Sequence, residues 1–111
     1  MHGRYILDEN KQPKKEPDLF KWGEWMQTAD RVVAKTRDGD VEVSTVFLGL
    51  DHNWGGGAPI LFETMIFGGE HDGWQDRYST WQEAEHGHIA AVRLIGIVMV
   101  GVTLVTEGNN D

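Results

Sequence analysis

No cysteine occurs in the chain, which excludes a disulfide framework, a thiolate nucleophile and a cysteine-ligated zinc site. That suits a reducing cytoplasm. Serine is no better placed for nucleophilic chemistry. No nucleophile elbow is present, and Ser44, Ser79 and Thr80 have structural explanations in a strand and a helix cap. MHGRYILDENKQPKK lacks the apolar segment of a secretory signal, so none is expected. There is no internal repeat and no low-complexity run. The longest apolar run, IGIVMVGVTLV (95–105), is about half the length a membrane-spanning helix needs.

Positive charge is also scarce over most of the chain. Residues 1–37 carry eight Lys and Arg against six Asp and Glu, a balance of +2, whereas residues 38–111 carry two against twelve, a balance of −10. Phosphate neutralisation needs clustered Lys and Arg, so direct nucleic-acid binding is not expected. An acidic half favours basic partners, such as proteins that themselves hold nucleic acid. Its plainer reading is colloidal solubility.

What is present reads as one domain. A chain of 111 residues, 40% hydrophobic and 25% charged, has ordinary globular composition and supports a single core. Five Trp and four Phe supply large pieces for it. Arg4–Leu7 is a short strand, followed by a connector holding Lys14 and Lys15. Pro17 suits the first turn of a helix, and Leu19, Trp22 and Met26 then form one helical stripe flanked by Phe20 and Trp25. Arg31–Arg37 alternates as a half-exposed strand. Asp38-Gly39-Asp40 is a hairpin turn, and Val41 to about Leu50 becomes continuously apolar, as in a central strand. Ile60–Phe67 has the same character, and Glu70–Asp76 reads as a polar loop. Thr80 and Glu83 have capping-box spacing, with Trp81, Ala84, His88 and Ala91 on the buried face of the helix they open. The expected class is α+β: an antiparallel meander of three to five strands carrying two amphipathic helices. Residues 1–93 form the core unit and 94–106 an apolar tail that pairs as a strand or holds a homodimer together. Residues 107–111 form a disordered end.

Few groups read as chemistry. In Asp51-His52-Asn53-Trp54-Gly55-Gly56-Gly57 the glycines run strand to strand, without the Lys and following helix of a P-loop, so a wide turn explains them. Trp54 at its tip is a contact candidate. His86 and His88 point about 200° apart on a helix and cannot share one metal ion. His88 is instead a buried imidazole bonded to backbone or to a carboxylate such as Glu63. A composite site of Asp51, His52, His71 and Asp72 would need two loops that lie at opposite ends of the Ile60–Phe67 strand. No catalytic residue, metal or cofactor is therefore assigned. The candidate protein or ligand contacts are Asp51, His52, Asn53, Trp54, Glu70, Asp72, Trp74 and Asp76.

The segments STVFLGLDHNWGGGAPILFETMIFGG (44–69), RYSTWQEAEHGH (77–88) and RYILDEN (4–10) resemble small accessory proteins of tailed phages and prophages. The resemblance covers residues 4–92 and brings no activity or catalytic residues with it. It implies a non-catalytic anti-defence protein of the anti-CRISPR or anti-restriction type, acting in the host cytoplasm. Its partner would be a host defence protein or protein–nucleic acid complex, with no membrane involved. The alternative is a binder or sponge of a small nucleotide signal, using the 51–57 loop and Trp54 as a stacking platform.

Overall fold

A computed structural model of the chain describes residues 3–96. Its elements are β1 (Tyr5–Leu7), β2 (Pro13–Lys15), α1 (Leu19–Thr28), β3 (Val32–Asp38), β4 (Val41–Phe47), β5 (Phe62–Phe67), β6 (Gln75–Tyr78) and α2 (Trp81–Leu94). Strands β3-β4-β5-β6 make a four-stranded antiparallel meander in sequence order, and β1-β2 is a separate hairpin. The class is α+β, as the sequence predicts.

The β3–β4 turn holds only Gly39 and Asp40, since Asp38 pairs with Val41. Gly39 takes the positive φ of 61° that so short a turn demands. The period-two alternation of β4 and β5 then puts Val43, Thr45 and Phe47, with Phe62, Thr64 and Ile66, on one face, where all six are buried. α2 covers that face with Ala84, His88, Ala91 and Val92. Thr80 accepts from the Glu83 N–H while the Glu83 carboxylate accepts from the Thr80 N–H, so the expected capping box is complete.

Two hydrophobic clusters share the interface. At one end Phe47 stacks obliquely on Phe62 (5.2 Å) and meets the edge of Trp25 (5.7 Å), while Phe62 meets Trp81 (6.1 Å). At the other end Val43, Ile66, Ala91 and Val92 pack with Trp74 and Ile95 against them. The opposite face of the sheet is mixed: Lys35 and Arg37 lie near Glu42 and Arg77 pairs with Glu63, and Val46, Met65 and the exposed Val32 and Phe67 share that face. One wet face is normal for an antiparallel sheet.

The structure departs from the sequence reading in several places. Gln75–Tyr78 is a strand, not the end of a polar loop; it is an exposed edge held by pairing with β5 rather than by an apolar pattern. Lys14 and Lys15 belong to β2, whose pairing to β1 is set by the turn that Asp8 closes by accepting from Asn10 and Gln12 N–H. The strand from Val41 stops at Phe47, short of Leu50.

α1 does not lie on the sheet beside α2. It docks at the Phe47 end, against β1 and the chain following β4. Asp18 caps it, accepting from the N–H groups of Phe20 and Lys21. Trp22 donates its indole N–H to the Gly49 carbonyl (3.1 Å), and the Met26 thioether packs where a Gly49 side chain would be. Trp22, Trp25 and Met26 are therefore the docking stripe, and Leu19, expected on it, is 53% exposed. Leu94 closes α2 rather than opening a tail. The remaining expectations for the apolar tail and the 107–111 end fall outside the described residues.

Candidate functional site

The 48–61 connection is built around two side chains. Asp51 accepts from the N–H groups of Asn53 (2.7 Å) and Ile60 (3.0 Å), which holds the two stems together. Asn53 bridges the loop, donating to the Ala58 carbonyl (2.7 Å) and accepting from Gly55 N–H (3.1 Å). His52 donates its ring Nδ1–H to the Leu50 carbonyl and its backbone N–H to the Ile60 carbonyl. Several amides of this glycine-rich loop are thus turned inward rather than converging on an outside anion. Trp54 stands at its tip, 79% exposed.

The other candidate contacts sit at the opposite end of the sheet. Asp72 accepts from Gly68 N–H (2.6 Å) and closes the 68–74 turn, while Glu70 is exposed on it. Trp74 is half-buried against the second core cluster. Asp76 is exposed on edge strand β6, accepting from the adjacent Arg77 N–H. The strand β5 separates His71 and Asp72 from Asp51 and His52, so these four are not brought together. Among the described residues, no group of three or more His, Asp or Glu is arranged to hold a metal ion, and no helix is long and apolar enough to cross a membrane.

The 68–74 turn and the β3–β4 turn touch. Gly68, at φ +88°, packs so closely on the Asp40 carbonyl that no side chain fits between them, and Gly69 packs on Val41. Asp38, Asp40, Glu70 and Asp72, all exposed, are therefore gathered at one end of the sheet on two short turns that brace each other. Sequence reasoning missed Asp38 and Asp40 as partners of Glu70 and Asp72, because their meeting depends on strand register. The paired glycines after β5 were the available signal.

Beneath α2 runs a row of polar groups contributed by successive strands. His88, 4% exposed, has Nε2 2.8 Å from the Thr36 hydroxyl and Nδ1 2.8 Å from the Thr45 hydroxyl, which lies 2.6 Å from that of Thr64. Burial holds the imidazole pKa below its usual value. The expected partner Glu63 is on the other face. It sits between Phe62 and Thr64, so strand alternation turns it outward, where Arg77 Nε donates to it at 2.9 Å.

Tyr78 ends the row, its ring lying across Gly87 where an added methyl group would collide with it. Its hydroxyl is buried and makes no hydrogen bond of good geometry. Burial raises its pKa, opposed by the Thr64 hydroxyl and reinforced by the Asp76 charge. The glycine of His86-Gly87-His88 thus makes room for an aromatic ring, and Thr45, Thr64 and His88 in the row are buried.

Comparison with family models, curated proteins and solved structures finds no match to this chain.

Proposed function

We propose that this is a non-catalytic binding protein, a phage accessory factor that docks its acidic end on a basic surface of a host nucleic-acid-handling defence protein. The observation behind this reading is the bracing of Asp38, Asp40, Glu70 and Asp72 on two abutting turns. Turns braced before encounter need no backbone ordering on binding, and clustered carboxylates steer a basic partner over long range. The histidine best placed for chemistry, His88, is enclosed by threonines.

Capture of host CRISPR or restriction complexes at low salt is the test, comparing the natural chain with an Asp38→Asn, Asp40→Asn, Glu70→Gln variant. Asp72 is left intact because it caps Gly68. The expected result is capture that weakens with salt and falls about tenfold in the variant. No host protein retained, or equal retention by both chains, would sink the proposal.

A second reading has the exposed Trp54 indole in its favour: stacking of a small nucleotide on the 51–57 loop. Against it stand the Asp51 carboxylate and the inward-turned amides. Thermal shift against a nucleotide panel decides the matter, since a ligand at a hundredfold over its dissociation constant adds about 2.7 kcal/mol.

A further inference from the structure

We draw no further inference here: the strongest candidate, the sheet face turned away from α2, where the exposed Val32 and Phe67 lie with Val46 and Met65, carries nothing because nothing in the structure shows what covers it.

Discussion

Neutral His88 has one ring N–H to give, and Thr36 and Thr45 stand at its two nitrogens. Burial keeps its folded-state pKa below 6.5, while in the unfolded chain an imidazole titrates near that value. As pH falls through about 6.5, the unfolded chain takes up a proton that the folded one refuses. Stability should then drop by up to about 1.4 kcal/mol per pH unit until the folded pKa is reached. Urea midpoints at pH 7.5 and 5.5 should therefore differ in the natural chain and converge in His88→Gln; an equal slope in both would show that the imidazole is not shielded. Gly87 makes a second prediction. Alanine for glycine within a helix normally stabilises by about 1 kcal/mol, but here the methyl group meets the Tyr78 ring. Gly87→Ala should destabilise by about 1–3 kcal/mol in thermal melts, the usual cost of overpacking. An unchanged or higher melting temperature would mean that Tyr78 swings aside freely.

Elements whose own residues state their ends were legible in the sequence. α2 announces its start through Thr80 and Glu83, and the β3–β4 hairpin through Gly39. β6 and β2 were not legible, because Gln75–Tyr78 and Pro13–Lys15 have no apolar alternation and exist only as partners of β5 and β1. On α1 the helical spacing picked out Trp22 and Met26 correctly but extended the stripe to Leu19 where Trp25 docks instead, because the contact that seats the helix is a carbonyl and a missing Cβ at Gly49, neither visible in a helical pattern. The acidic end was half legible, since Glu70 and Asp72 could be named but their convergence with Asp38 and Asp40 follows from register. Because no side chain of α1 is fully buried, its attachment should be separable from the fold. Gly49→Ala places a methyl group against Met26 at φ +80°, and should cost about 1–3 kcal/mol. Limited proteolysis should then cut between β2 and β3 at conditions where the four-stranded sheet survives. Trp22→Phe, which removes the indole bond and trims the packed bicycle to a single ring, should cost about 1–3 kcal/mol. Cleavage at equal rates in the natural chain and both variants would mean that Gly49 does not anchor the helix.

At the scale of the whole molecule, the sheet works as a spacer. β4 begins beside the acidic turns and ends at Phe47, where α1 is seated, so the two exposed surfaces lie at opposite ends of a strand about 20 Å long. The contact that holds the acidic end together depends on a missing side chain: Gly68, at φ +88°, lies on the Asp40 carbonyl. Gly68→Ala should therefore push the two turns apart and cost about 1–3 kcal/mol in thermal melts, and an unchanged melting temperature would mean that they do not brace each other. With the turns parted, Asp38 and Asp40 would no longer be presented in one place with Glu70 and Asp72.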